Sequence, residues 1–164
     1  MRVSARADYA LRAVAELAVA EGALKRELVA QRQDIPPDFL EHILLALKHA
    51  GIVMSQRGAG GGFRLARPAV DISLAEVIRA VDGPMANVRG ERVELVTYNG
   101  PAEHLREVWI AVRASLRDIL ESTSVRDLVD GTLPPRVETL THAPDAWVSR
   151  NRRRTVAPPN EEAG

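Results

Sequence analysis

An arginine beside a cluster of glycines is the part of this sequence whose chemistry is easiest to specify. Arg57 is followed by Gly58, Ala59 and then three consecutive glycines. A run of this kind offers no side chain to a core and must turn, so it presents the guanidinium group at the tip of a turn. A cation held in this way suits the minor groove of DNA, where a narrow groove concentrates negative potential. The alternative is that Arg57 is an ordinary exposed residue.

A second set of polar residues lies earlier in the chain, on a helix predicted over residues 37–50. Asp38 and Glu41 can accept a hydrogen bond from the amino group of cytosine, and His42 can donate to guanine or to a phosphate. The two acids could instead simply favour the positive end of their own helix. At the start of the first predicted helix, arginine, a hydroxyl and terminal N–H groups can hold phosphate, while Tyr9 there could equally be a core residue. The full set that we assign to DNA is Arg2, Ser4, Arg6, Tyr9, Pro37, Asp38, Glu41, His42, Lys48, Arg57, Gly58, Gly60 and Arg64.

The composition excludes several kinds of site. The chain has 164 residues and no cysteine, which rules out disulfides, thiolate zinc sites, cysteine-ligated clusters and cysteine nucleophiles. The four histidines lack the spacing of metal ligands, so we predict neither a metal nor a cofactor. The glycine run is not a phosphate loop, because a strand rather than a helix is predicted after it. With no nucleophile elbow either, we predict that the protein is not an enzyme.

The net charge of zero combines regions of opposite sign. Residues 1–68 carry 10 Lys and Arg against 7 Asp and Glu, a balance of +3. Residues 69–131 carry 7 against 11, a balance of −4, and residues 132–164 carry 5 against 4, a balance of +1. Overall neutrality therefore does not argue against a nucleic-acid partner, because the segment that contains Arg57 is basic.

Hydrophobic spacing predicts the elements that position these residues. Apolar residues recur at three- and four-residue steps in helices over residues 4–22, 26–33, 37–50 and 73–83. Residues 52–56 and 63–66 alternate as a hairpin, with Phe63 and Leu65 on one side and Arg64 on the other. A two-helix corner followed by a glycine-tipped hairpin is typical of a winged helix-turn-helix. Such a fold places its second helix in the major groove of DNA and its hairpin along the backbone or in the minor groove.

The second half of the chain is less regular. Residues 84–101 show no helical period, with a short extended piece predicted at residues 93–96. A long helix follows from about Pro101, and a last short helix is predicted from Ser124 to Gly131. The segment from residue 132, with its prolines and a basic run at residues 150–154, is predicted to be largely disordered. The long helix is too long for one small domain, so we predict a two-fold interface formed by Leu105, Val108, Trp109, Val112, Leu116 and Ile119.

Four stretches of the sequence carry a recognisable pattern. They are Arg2-Val3-Ser4-x-x-x-Asp8-Tyr9-Ala10, Phe39-Leu40-Glu41-x-Ile43-Leu44, Gly51-Ile52-Val53-x-Ser55-x-Arg57-Gly58-x-Gly60-Gly61-Gly62-Phe63 and Ile72-Ser73-Leu74-Ala75-Glu76-Val77-Ile78-x-Ala80-Val81-Asp82-Gly83. Together they resemble the Rrf2 family of bacterial transcription regulators, over roughly residues 1–131. The resemblance implies a homodimer on two-fold operator DNA, in a family that senses iron–sulfur status, nitric oxide or cysteine supply.

One departure from the family pattern matters. Its cluster-binding members carry three cysteines in the loop before the long helix, and residues 84–104 here contain none. The resemblance therefore places this chain with the cluster-free members, some of which respond through a partner enzyme of cysteine synthesis.

Taken together, the sequence predicts a mainly α fold with a small β-hairpin wing, a winged helix-turn-helix followed by a long dimerisation helix. The predicted parts are a DNA-binding domain (residues 1–68), a linker helix, loop and dimerisation helix (69–131) and a tail (132–164). We expect a cytoplasmic, DNA-binding regulator, acting as a repressor and a homodimer on a double-stranded operator. The alternatives are a module that binds a metabolic enzyme through its dimer platform and a sensor of a small-molecule effector. No membrane segment is predicted, because no apolar run is long enough.

Overall fold

The computed structural model describes residues 3–58 and 60–148 and is mainly helical. Short 3₁₀ turns occupy Ala69–Asp71, Val93–Leu95 and Gly100–Ala102. The helices are α1 (Ala5–Ala18), α2 (Arg26–Gln33), α3 (Pro37–His49), α4 (Leu74–Asp82), α5 (Leu105–Ser122), α6 (Val125–Asp130) and α7 (Pro135–Thr141). The strands are β1 (Val53–Gln56), β2 (Gly62–Leu65), β3 (Asn87–Val88) and β4 (Glu91–Arg92). This confirms the predicted fold class, a helical protein with a small hairpin.

The core forms where α1 crosses α2, α3 and α4. From α1 it takes small residues, Ala7, Ala10 and Ala13, which let the neighbouring helices approach closely. From α3 it takes Leu40, Ile43, Leu44 and Leu47, all fully buried. Val125 of α6 joins the same cluster. Helix α1 ends at Ala18, not at Gly22 as predicted, because the chain leaves the helix to bring Leu24 beside Phe63.

The end of α3 and the following hairpin agree closely with the prediction. Gly51 has a φ of +70°, and its N–H bonds the Lys48 carbonyl at 3.1 Å while the Ile52 N–H bonds the Leu47 carbonyl at 2.9 Å. This is a Schellman motif, which glycine permits because it lacks a Cβ. In the hairpin Val53 lies opposite Leu65, Met54 opposite Arg64 and Ser55 opposite Phe63. Phe63 and Leu65 therefore share the inner face with Val53, and Arg64 lies on the other face.

Helices α4 and α6 each begin with a capping box. The Ser73 hydroxyl accepts from the Glu76 N–H while the Glu76 carboxylate accepts from the Ser73 N–H, and Ser124 and Asp127 repeat the pattern. The two helix starts are bonded to each other, with the Leu74 N–H on the Thr123 carbonyl at 2.9 Å and the Val125 N–H on the Ile72 carbonyl at 2.8 Å. The second half of the chain is thus attached to the core through backbone hydrogen bonds.

The segment between α4 and α5 differs from the prediction. The expected extended piece at residues 93–96 is wrong, because Val93–Leu95 forms a 3₁₀ turn that buries Val93 and Val96. Before it, β3 and β4 form a hairpin that was not predicted, whose turn residues Arg89 and Gly90 have φ values of +55° and +81°. Positive φ at both positions is the geometry of a tight two-residue hairpin turn.

Two further differences from the prediction lie in the second half. Helix α5 begins at Leu105, later than Pro101, because Gly100–Ala102 forms a separate turn. Helix α7 occupies part of the predicted tail, where Pro135 supplies a preset φ at the first helical position. The basic run at residues 150–154 lies outside the described residues. In the part of the chain that the structure describes, no helix has the length and apolar character needed to cross a membrane.

Candidate nucleic-acid interface

Helix α3 divides cleanly into a buried face and an exposed face. Leu40, Ile43, Leu44 and Leu47 are buried in the core. The opposite face carries Pro37, Asp38, Glu41, His42, Leu45, Lys48 and His49, all exposed. Leu45 is an addition to the predicted set, with 48% of its surface exposed. An exposed leucine among polar residues can contact a thymine methyl group. The helical spacing of the sequence was enough to predict that Leu45 lies on this polar stripe.

The glycines at the tip of the hairpin have unequal structural roles. Gly58 has a φ of +101°, which disfavours any residue with a Cβ. A Cβ on Gly61 would lie 2.6 Å from the Gln56 carbonyl oxygen, and one on Gly62 would lie 2.1 Å from the Leu24 carbonyl oxygen. A Cβ on Gly60 would meet nothing within 4 Å. Sequence reasoning selected Gly58 and Gly60, and so missed the two glycines whose contacts fix the wing.

Backbone and side-chain bonds hold this hairpin against the helices. Leu24 and Phe63 exchange two backbone hydrogen bonds, of 2.9 and 2.7 Å. The Lys48 ammonium donates to the Ser55 hydroxyl at 2.9 Å, which ties the end of α3 to β1. Lysine has three N–H donors, so this bond leaves Lys48 able to contact a phosphate as well. Helix α3 and the wing that carries the exposed Arg57 and Arg64 therefore form one unit.

The start of α1 is more structural than predicted. Arg2 lies outside the described residues. The Ser4 hydroxyl accepts from the Ala7 N–H at 2.9 Å and donates to the Asp82 carboxylate at 2.5 Å. Ser4 therefore caps α1 through its oxygen and links α1 to the end of α4 through its one proton. Arg6 is partly exposed, and its contact with phosphate stays a prediction.

Tyr9 connects α1 to the exposed end of α3. Its ring meets the Phe39 ring edge-on, with the centroids 5.7 Å apart, and the Arg12 guanidinium lies 5.4 Å from the Tyr9 centroid. Phe39 itself is 44% exposed. Tyr9 therefore supports the position of α3, whether or not it also touches DNA.

An ion pair at this surface was not predicted. Arg26, the first residue of α2, donates to the Glu41 carboxylate on α3 and also to the Glu27 carboxylate at 2.9 Å. No spacing rule pairs Arg26 with Glu41, because the two residues lie on different helices. The turn between these helices has an angle that the sequence does not specify. The predicted cytosine acceptor Glu41 is thus bound to an arginine in the free protein.

The second half of the molecule presents an apolar helix. Not one residue of α5 is buried within the single chain, and Val108 is 52% exposed. Trp109, Val112, Leu116 and Ile119 are only partly covered. The Trp109 indole Nε1 is buried without a hydrogen-bond partner among the described residues.

Charges hold the loop before α5 in place. The Glu94 carboxylate accepts from Arg113 of α5 and pairs with Arg92 at 2.5 Å. The hydrogen bond from Arg113, its own backbone N–H and the Arg92 guanidinium lower the pKa of Glu94 to about 2. The buried neighbours Val93 and Val96 add apolar contacts to this ionic anchor.

The fold has a helical corner whose second helix exposes a polar stripe, and this helix is fixed to a glycine-tipped hairpin. This combination defines the class of winged-helix DNA-binding proteins. The Rrf2 family model, described as an iron-dependent transcriptional regulator, matches residues 3–131. The chain therefore belongs to the Rrf2 family, and its class is that of DNA-binding transcription regulators and not of enzymes.

Individual relatives agree with this assignment. Rv1287 of Mycobacterium tuberculosis (strain ATCC 25618 / H37Rv), inferred to be an HTH-type transcriptional regulator, is 45% identical over 142 residues, 85% of this chain and 88% of that protein. The HTH-type transcriptional regulator CymR of Bacillus subtilis (strain 168) is 33% identical over 134 residues, 80% of this chain and 92% of CymR.

Solved structures show the same likeness. The structure of CymR, described as the global cysteine regulator of B. subtilis, has a TM-score of 0.68 and 30% identity and covers 80% of this chain and 98% of that chain. T. potens IscR has a TM-score of 0.66 and 28% identity and covers 80% of this chain and 88% of that chain.

The residues of this chain do not fit a cysteine-ligated iron–sulfur cluster, although the family is described as iron-dependent. Such clusters are held by thiolates, and the chain has no cysteine. Among residues 3–58 and 60–148, no three His, Asp or Glu side chains are grouped so that they could hold a metal ion. Glu94, in the loop before α5, is bound by two arginines instead.

Proposed function

We propose that this chain is a homodimeric repressor that binds a two-fold operator, with α3 in the major groove and Arg57 directed to the adjacent minor groove. The observation that carries the proposal is the exposed stripe of α3 locked to the wing by the Lys48–Ser55 bond. A rigid unit of this kind presents its helix and its wing to DNA in one orientation.

The exposed α5 supports the homodimer. This helix has 18 residues, about 27 Å of length, yet it buries nothing fully within its own chain. A second copy of α5 would cover Val108 and its neighbours by two-fold pairing. That symmetry would bring the two α3 helices to half-sites separated by one or more helical turns.

The experiment that tests the proposal is selection of bound duplexes from random-sequence DNA by the purified protein. We expect a palindromic consensus, a complex of two chains by analytical ultracentrifugation and an affinity that falls steeply with salt. A transcription assay on the selected operator then tests repression. A protein that enriches no sequence, or that binds a single half-site as a monomer, would overturn the proposal.

A specific observation favours a second candidate function, the binding of a small apolar effector. A cavity of about 230 Å³ lies between the start of α1, the end of α4 and α5. Its lining is mostly apolar, with Val3, Ala7, Ile78, Met85, Leu116 and Leu120, and also includes Ser4 and Asp82. A thermal-shift screen of metabolites tests this role, and a screen without a stabilising compound would count against it.

A metabolic enzyme as partner stays a prediction, to be tested by capture with and without operator DNA.

A further inference from the structure

Arg26 holds Glu41 in the middle of the exposed α3 stripe. The Arg26 Nη1 donates to Glu41 Oε2, while its Nε and Nη2 donate to Glu27 Oε1 at 3.1 and 2.9 Å. The Arg26 side chain is 31% exposed and the Glu41 side chain 64% exposed. The pair therefore lies at the surface, on the same side of the molecule as the exposed stripe of α3.

This arrangement changes what each residue can do. A guanidinium has five N–H donors, and the bonds just described use three of them. The remaining donors can reach a phosphate oxygen, in the planar geometry that favours arginine for this contact. The Glu41 carboxylate is drawn toward α2, where it shares the Arg26 guanidinium with Glu27, so it no longer stands as a free anion facing the phosphates.

We infer that Arg26 contacts the DNA backbone and that Glu41 is its positioning residue, so that Glu41 does not read cytosine while Arg26 is present. The inference rests on the proposed function, since it assigns roles at the same DNA-binding surface. Without Arg26, Glu41 becomes an unpaired carboxylate beside the phosphates, which repels them and is free to accept from cytosine.

The test is a cycle of Arg26→Ala, Glu41→Ala and the double variant, measured on a duplex that the wild-type protein has selected from random-sequence DNA. We expect Arg26→Ala to bind about tenfold more weakly, as for loss of a charged hydrogen bond. It should also lower the slope of log affinity against log salt by about one. We expect Glu41→Ala in the Arg26→Ala background to restore affinity about threefold, by removing an exposed repulsive charge.

Base preference gives the second readout. On a panel of single-base-pair variants of the duplex, Glu41→Ala should leave the preferences of the wild-type protein unchanged, while Arg26→Ala should gain a preference for cytosine at one position. The inference is overturned if the double variant binds no more tightly than Arg26→Ala, or if Glu41→Ala alone abolishes a cytosine preference.

A matched control uses the ion pair on the far side of α2. Arg32 and Glu16 are joined at 2.7 Å but do not lie on the α3 stripe, so Arg32→Ala and Glu16→Ala should show neither the loss nor the rescue. The exposed Arg26–Glu41 pair contributes little stability, whereas Glu16 is only 13% exposed, so circular dichroism checks that every variant is folded. If the wild-type protein selects no duplex, the proposed function fails, whereas selection without rescue overturns this inference alone.

Discussion

The winged half, which ends near residue 68, and the half that follows it are held together in different ways. In the winged half α3 buries four large side chains completely, and the wing is fixed by backbone bonds to Leu24. In the second half the longer helix α5 has no buried residue and is held partly by the ion pairs Arg79–Glu121 and Arg113–Glu94. Apolar packing is strong and insensitive to salt, whereas ion pairs at or near the surface are weaker and are screened by salt.

This difference indicates which half is complete within one chain. The winged half packs with α4 and with Val125 of α6 in one core that lies within a single chain, so its geometry should persist in a monomer. The second half has an unsatisfied apolar helix, so its order should depend on the second copy that we propose. Four predictions test this contrast, from the largest expected effect to the smallest.

The largest effect is expected for Gly62→Ala in the winged half. Its Cβ would lie 2.1 Å from the Leu24 carbonyl oxygen, and backbone cannot yield as a flexible side chain does. We expect a loss of about 3 kcal/mol or more in the free energy of unfolding, measured with urea, because the wing must detach. Gly60→Ala is the control and should change stability by less than about 0.5 kcal/mol. Equal stability of the two variants would contradict the close approach.

The second prediction concerns α5. Val108→Glu places a charge on the exposed apolar stripe, and should turn the protein into a monomer in which the winged half stays folded while α5 loses order. Because the two half-sites then bind independently, we expect operator affinity to fall about 100-fold. Ala114→Glu, on the opposite side of α5, is the matched control. Sedimentation decides the result, and a dimeric Val108→Glu protein would refute the assigned interface.

The third prediction returns to Arg57 at the wing tip. Arg57→Ala should lower operator affinity by about 1–3 kcal/mol if the side chain enters the minor groove and reads a base edge. Stability should stay unchanged, because the side chain is exposed. Mobility shifts with Arg32→Ala as the control measure the loss, and undiminished binding by Arg57→Ala would remove the assigned role.

The contrast between the halves also explains how far the sequence could be read. Local signals are strong at Gly51, Ser73 and Ser124, where one residue type satisfies the free groups of a helix end, and these boundaries are correct. The Arg26–Glu41 pair, and the contact that demands glycine at position 62, depend on how distant segments meet. Local patterns do not encode that geometry. The extended piece expected at residues 93–96 is wrong because two buried valines favour a strand locally, while the fold needs a turn there.

The smallest effect is expected at the ionic anchor of the second half. The pKa of Glu94 is lowered to about 2 by its hydrogen bond from Arg113 and further donors. A carboxylate with a lowered folded pKa stabilises the protein above its unfolded pKa, about 4.3, and this contribution is lost as the pH falls toward 2. Glu94→Gln should therefore lower the urea midpoint by a constant amount between about pH 5 and 8. The difference from wild type should then shrink below about pH 4.3.

The exposed Glu91, on the neighbouring strand β4, provides the control variant Glu91→Gln. Added salt should shrink the Glu94→Gln effect but leave the Gly62→Ala effect intact, because only the first is electrostatic. A salt-independent Glu94→Gln effect would show that this loop is held by packing, and the contrast between the halves would then have to be redrawn.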